Sequence, residues 1–155
     1  MLPSPRIAVL TNVDQTAFNM YRIAYAWKDD MAAYASMSLN ELFDLLKNIP
    51  FNADPNDTEL LQRPFYTLNQ IGRGGDCDDK AICVGAWCHL NRLPFRFLAV
   101  AMSPATELHH VLTEIYVSSY ERPSQGQWIE FDPTYNFNVL GRPLRAYTKR
   151  LILTP

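Results

Sequence analysis

The segment Gly74-Gly75-Asp76-Cys77-Asp78-Asp79 runs straight into Lys80-Ala81-Ile82-Cys83-Val84-Gly85-Ala86-Trp87-Cys88-His89-Leu90, and a stretch of that kind has few ways to fold. Two glycines permit a tight turn, and the residues after them carry the spacing of a helix. The spacing predicts a helix opened by Cys77 and ending near Arg92, roughly 22 Å long at 1.5 Å per residue. Cys77, Ala81, Val84 and Cys88 share one narrow stripe with Gly85 beside it, small enough for a sheet to approach closely. Ile82, Trp87 and Leu90 cover other sides, so the helix is expected to be central and nearly surrounded.

A cysteine in the first turn of a helix sits at the positive end of the helix dipole, which favours thiolate. The flanking Asp76, Asp78 and Asp79 oppose it. Asp78 and Asp79 read more simply as N-terminal acids complementing the dipole than as groups of a reaction. The expectation is a Cys77 thiol more acidic than the free value of about 8.5. Cys77 would then alkylate quickly at neutral pH, with Cys83 and Cys88 as small core residues. Three cysteines fixed along one helical rod cannot readily bridge one another, which points to free thiols in a reducing compartment.

Helices precede the central one. A helix is expected from Asp14 to about Met37, capped by Asp14, with Phe18, Tyr21, Tyr25 and Met31 inward. Ser38-Leu39-Asn40-Glu41 is a capping-box pattern opening a second helix through Lys47, with Leu42, Leu45 and Leu46 as its stripe and Pro50 just beyond its end. Residues 6–10 fit a short strand or an extended arm. Asn52 to Asp57 reads as an exposed polar loop, followed by a short helix from Thr58 that breaks near Pro64. Asp57, Arg73 and Lys80 read as solvated surface charge, and Trp87 and Trp128 as core.

Four strand candidates follow the central helix, at 94–101, 110–117, 127–132 and 144–153. Helices first and strands second gives an α+β fold with an antiparallel sheet, in one domain spanning 1–155 (helical part about 14–92, sheet part about 93–153). At 155 residues the chain is long enough for one core without staples. A net charge of −2 and the absence of basic runs interleaved with aromatics argue against a nucleic-acid partner. No apolar run is long enough to span a bilayer. Met1 to Arg6 lacks the apolar stretch of a secretory signal, so a cytoplasmic location is expected, extending to virion association.

His110 opens the second strand candidate and Asp132 closes the third. A hairpin turning at Pro123-Ser124-Gln125-Gly126 would oppose His110 to Asp132, Leu112 to Glu130 and Ser118 to Ser124. Asp132 could then orient one ring nitrogen of His110 and leave the other facing Cys77, although Asp132 before Pro133 also reads as a turn residue. Strand alternation sends the rival His109 to the other face, while Glu114 and Tyr116 share the His110 face. No Cys-x-x-Cys or His-x-x-x-His spacing draws Cys77, Cys88, His89 and the His109-His110 pair into a metal site, and neither metal nor cofactor is expected.

The order Gly-Asp-Cys at a helix start, His-x-x-x-Glu on a strand (His110 to Glu114) and Asp-Pro-Thr (Asp132 to Thr134) resembles the transglutaminase-like superfamily of papain-like cysteine enzymes. The likeness covers about Ile71 to Thr134. Glu59-Leu60-Leu61-Gln62-Arg63-Pro64, ahead of the cysteine, is similar to short stand-alone members carried by phages and prophages. The resemblance implies a papain-like core in which the Cys-bearing helix packs on the antiparallel sheet. It makes Cys77 the nucleophile, His110 the general base and acid, and Asp132 its orienter.

The implied activity is thiol-dependent hydrolysis of amide bonds in a protein or peptide, as a peptidase or isopeptidase. Acyl transfer to an amine or glutamine deamidation could run on the same triad, and a non-catalytic binding or virion-associated module could keep the fold. The Cys77 backbone N–H is one oxyanion donor. Gln62, Tyr66, Asn69 and Gln70 are the candidates for a second, which places the segment Asp54 to Gln70 at the border of the cleft.

Overall fold

A helix shut in on every side organises the molecule. The computed structural model describes residues 6–10, 13–54, 59–69, 74–119 and 121–155. Among the described residues, six strands and four α-helices follow in chain order as β1 (Arg6–Leu10), α1 (Val13–Ala26), α2 (Leu39–Lys47), β2 (Glu59–Gln62), α3 (Pro64–Asn69), α4 (Cys77–Asn91), β3 (Phe95–Met102), β4 (His110–Ser119), β5 (Arg122–Phe131) and β6 (Tyr147–Leu153). A 3-10 helix, Lys28–Tyr34, lies between α1 and α2. The fold is α+β. Four antiparallel strands form one sheet in the order β5-β4-β3-β6, and β1 pairs with β2 apart from it.

From Asp78 to Cys88 every residue of α4 is buried. One side packs on α1 and the sheet through Ala17, Met20, Ile23, Ala24, Phe97 and Ala99. The other packs on Met31, Leu42, Phe43 and Leu46. Gly85 permits the close approach, since a Cβ there would stand 2.9 Å from ring atoms of both Phe95 and Phe97 and 3.3 Å from the Ala24 Cβ. The helix ends on Arg92 in the left-handed conformation, φ 54°, whose N–H closes on Cys88 and His89.

The helix expected from Asp14 to Met37 stops at Ala26 and restarts as the 3-10 turn. Arg63 provides a reason. Its guanidinium stacks 3.6 Å from the Trp27 ring centroid and makes two bonds to Asp30, at 2.8 and 2.7 Å, fixing this corner from outside the helix. Ala17, Met20, Ile23 and Ala24 form the inward face of α1, and Phe18 and Tyr25 are exposed. On α2 the capping box forms as read, with Ser38 Oγ accepting from Glu41 N and Glu41 Oε1 accepting from Ser38 N. Phe43 joins Leu42 and Leu46 in the core, and Leu45 is only half-buried.

The helix expected from Thr58 is strand β2 followed by α3, because β1 supplies a ladder partner and Pro64 suits the first position of a helix. The β4–β5 hairpin also turns earlier than expected. Ser119 pairs with Arg122, and Pro123 to Gly126 lie inside β5. Thr113 faces Phe131 and Glu114 faces Glu130, a register two residues from the expected one. The shift is even, so each side chain keeps its face, and Asp132 stands diagonal to His110 instead of opposite.

Trp87 is buried and its indole N–H donates to Tyr34 O at 2.9 Å. Trp128 lies on the surface, with the Arg96 guanidinium 4.0 Å from its ring centroid. Glu114 on the His110 face is buried and takes ion pairs from Arg96 and Arg150. No helix among the described residues is long and apolar enough to cross a membrane.

Gly85→Val puts a branched side chain where two aromatic rings and Ala24 already fill the space. Urea unfolding of this variant is expected to show a loss of about 2–3 kcal/mol despite the gain in helix propensity over glycine. An unchanged midpoint would mean that α4, α1 and β3 are not in contact there.

Candidate active site

The first turn of α4 presents Cys77 outward and sends Asp79 and Lys80 inward. Asp76 caps the helix and forms a capping box with Asp79. The turn before it is fixed at Gly74, φ 60°, where a Cβ would fall 1.9 Å from Pro50 O. Gly75 then pairs with the loop after α2, its N–H donating to Pro50 O and its carbonyl accepting from Asn52 N.

Asp79 takes three bonds, Oδ1 from Gln62 N at 2.9 Å and Oδ2 from Gln62 Nε2 at 3.1 Å and Asp76 N at 3.2 Å. Burial pushes its carboxyl well above the usual range and the Asp76 charge adds to this, while the N–H bonds pull it back. Asp78 and Asp79 lie in the first turn of α4, as read from the sequence, and both are buried.

Lys80, read from the sequence as surface charge, is fully buried. Its Nζ donates to Ile49 O at 2.7 Å, Thr134 O at 3.0 Å and Pro133 O at 3.1 Å. Burial draws its pKa down to about 8, against the favourable charges of Cys83 and Asp132. Helical spacing showed which face Lys80 occupies, but not that two loops would close over that face.

His110 and Asp132 are both buried, and His110 Nε2 lies 2.7 Å from Asp132 Oδ2. The other Asp132 oxygen accepts from Thr134 Oγ1 at 2.6 Å and Thr134 N at 3.3 Å. Asp132 is therefore a turn residue and the partner of His110 at once. With Nε2 taken, Nδ1 is the ring nitrogen left for the hydrogen bond that joins His110 to Cys77.

The sheet adds a second contact to the thiol. Tyr116 N donates across to β3 at Pro94 O, so even positions of β4 point their N–H groups toward β3 and odd positions toward β5. The β4–β5 ladder begins at Thr113 and Phe131, which leaves the Val111 N–H free of that ladder, and it bonds Cys77.

The thiol does not behave as its helix position implied. Burial pushes Cys77 up, the bond and charge of His110 pull it down, the Asp76 carboxylate pushes it up again, and the Val111 N–H pulls it down; the balance is upward. Desolvation and Asp76 outweigh the pull of His110 and of the Val111 N–H. His110 moves the other way. Burial disfavours the imidazolium, yet Asp132 and Cys77 hold it and raise its pKa to about 10. Cys83 and Cys88 are free and buried, and burial pushes both thiols far up.

Among the oxyanion candidates, Gln62 is buried with its amide committed to Gly74 O, Asp79 and Thr67 Oγ1, so it braces the turn. Tyr66 is buried on α3, and Asn69 is exposed with its amide on Phe65 O. Gln70, Asp57 and Arg73 lie outside the described residues. His109 is exposed and contacts Glu107 O, away from Asp132. No family model, curated protein or solved structure matches this chain.

Two outcomes follow for stability. Lys80→Met leaves three carbonyls without their donor, and urea unfolding should show a loss of about 2–4 kcal/mol; a loss within 0.5 kcal/mol, about the scatter of surface substitutions, would contradict the tie. For His110, the folded state holds a proton to about pH 10 that the unfolded chain releases near 6.5. Its contribution is therefore full below about pH 6.5 and is lost as pH rises through about 10. The stability difference between wild type and His110→Gln should shrink across that window, and a difference that grew would reverse the assignment.

Proposed function

We propose that this chain is a thiol-dependent hydrolase of amide bonds, a peptidase or isopeptidase of the transglutaminase-like, papain-like kind. What carries the reading is the chain of contacts from the Asp132 carboxylate through the His110 ring to Cys77. A histidine bonded on one nitrogen by a buried carboxylate and on the other by a thiol at a helix start is suited to move a proton between sulfur and a leaving amine.

In this reading the acting form is the one whose His110 has released its own proton, and the neutral ring then takes the Cys77 proton as the sulfur attacks the amide carbonyl. The imidazolium then protonates the departing nitrogen, leaving a thioester on Cys77. Water activated by His110 attacks the thioester, the C–S bond breaks, and the proton returns to the thiol. The Cys77 N–H at the helix start is one donor to the oxyanion. Because the resting thiol sits above its ordinary value, the pair works by proton transfer as substrate binds, not from a standing pool of thiolate. Acyl transfer to an amine would use the same acyl-enzyme with a different acceptor.

Cys77 should be the fastest of the three thiols to alkylate, with a rate that climbs through the alkaline range. Peptide mapping after iodoacetamide labelling reads this, and equal labelling of Cys88 would contradict it. On an amide substrate, Cys77→Ala and His110→Ala should each abolish most turnover, and the double variant should lose little more. Losses that multiply in the double variant would mean the two residues do not act together.

A further inference from the structure

We infer that Phe51, Tyr135 and Phe137 form a ledge that receives an aromatic or large apolar side chain of a peptide substrate beside the carbonyl attacked by Cys77. This assignment rests on the thiol-hydrolase reading above. The three rings stack in sequence. Phe51 and Tyr135 centroids lie 5.1 Å apart, and Tyr135 and Phe137 lie 5.4 Å apart with an interplanar angle of 7°. Phe137 is 72% exposed and Phe51 44%, so this aromatic surface lies open to solvent instead of filling the core. Exposed aromatic surface gathered in one place marks a binding site more often than scattered single residues do.

Its position ties the ledge to the site. Phe51 forms a bridge with Gly75, two residues before Cys77. Tyr135 follows Thr134, whose hydroxyl and N–H hold Asp132. Lys80 Nζ binds carbonyls in both segments, at Ile49 and Thr134, so the two halves of the ledge are fixed relative to the thiol. The Tyr135 phenol is raised by burial and then by the charges of Cys77 and Asp132, which agrees with that placement.

Charge narrows the occupant. The ledge carries none, and carboxylate oxygens of Asp54, Asp76 and Asp78 gather within 4.8 Å of one another in the segments flanking Phe51 and Cys77. An acidic peptide is repelled there, and a neutral or basic one is not. A sugar ring could lie on the same faces but needs polar neighbours. The buried amide next to Phe137, Asn138, is committed to Asp132 O and Arg142 O. A peptide side chain needs only the ring faces.

The test compares acetyl-Gly-Phe, acetyl-Gly-Gly and acetyl-Gly-Asp chloromethyl ketones on the full chain, reading inactivation rates with the adduct located on Cys77. The Phe reagent should react about tenfold faster than the Gly reagent, and the Asp reagent slowest. The Phe-to-Gly ratio should fall to about 1 in Phe51→Ala/Phe137→Ala and survive in Phe137→Tyr. Equal rates in wild type, or a ratio that survives in the double variant, would overturn the ledge.

A second arm titrates the Cys77→Ala chain with acetyl-Gly-Phe-Gly amide and with a chito-oligosaccharide. Peptide binding that the two phenylalanine substitutions abolish supports the ledge even if no adduct forms on Cys77, and in that case the hydrolase reading falls alone. Oligosaccharide binding without peptide binding overturns the peptide assignment.

Discussion

Lys80 Nζ reaches the carbonyls of Ile49, Pro133 and Thr134 from inside the protein, and the geometry around Cys77 presupposes those three bonds. They tie the loop after α2 to the loop after β5, of which one carries the Gly75 pairing and the other carries Asp132. Burying an ammonium costs several kcal/mol in lost hydration. Three charge-assisted bonds to carbonyls, each worth roughly 1.5–3 kcal/mol, offset much of that. The residual strain is visible in a pKa drawn down to about 8, which still leaves the group mostly protonated at neutral pH. Asp79 does the same work with the opposite sign one residue earlier, gathering N–H groups from Gln62 and Asp76. A single helical turn thus holds an anion brace, a cation brace and the thiol.

That arrangement explains why the thiol is not simply acidic. The acids that cap and brace α4 stand beside it, and the enclosure that keeps Lys80 and His110 fixed also removes water from sulfur. A helix N-terminus offers about half a positive charge, which a neighbouring carboxylate and desolvation can outweigh. His110 is the compensating element. It is tied to a buried carboxylate that is itself held by the Thr134 hydroxyl and N–H. Negative charge at Asp132 is passed on as a raised affinity of the ring for its proton. The charge the sulfur needs is supplied by a partner whose own position is fixed through two further residues.

Much of this was legible in the sequence, and the parts that were not share a cause. The central helix, the Ser38 capping box, the sheet strands and the shared face of His110 and Asp132 follow from spacing, because each depends on neighbours within a few residues or on face alternation. The burial of Lys80, the break after Ala26 and strand β2 depend on partners distant in the chain: Pro133 and Thr134, Arg63, and β1. Periodicity carries no information about those. Phe18 and Tyr25 lie on the exposed side of α1, opposite the face that meets α4. The buried face of α1 needs Ala17 and Ala24, since α4 meets it at Gly85 and Ala81.

The hairpin register shows why an inexact reading can still find the right pair. The turn lies several residues from where Pro123 to Gly126 suggested, yet the resulting shift at the His110 end is two residues. A shift of one would have sent Asp132 to the opposite face of the sheet. A shift of two leaves the face intact and changes only whether the two side chains are opposed or diagonal, and a histidine and an aspartate are long enough to meet on the diagonal. The irregularity between Val117 and Ser119 absorbs the remaining difference at the far end of the hairpin, where no site residue lies. What the site requires of the sheet is therefore parity at residues 110 and 132, together with a ladder that stops at Thr113 and leaves the Val111 N–H to the thiol.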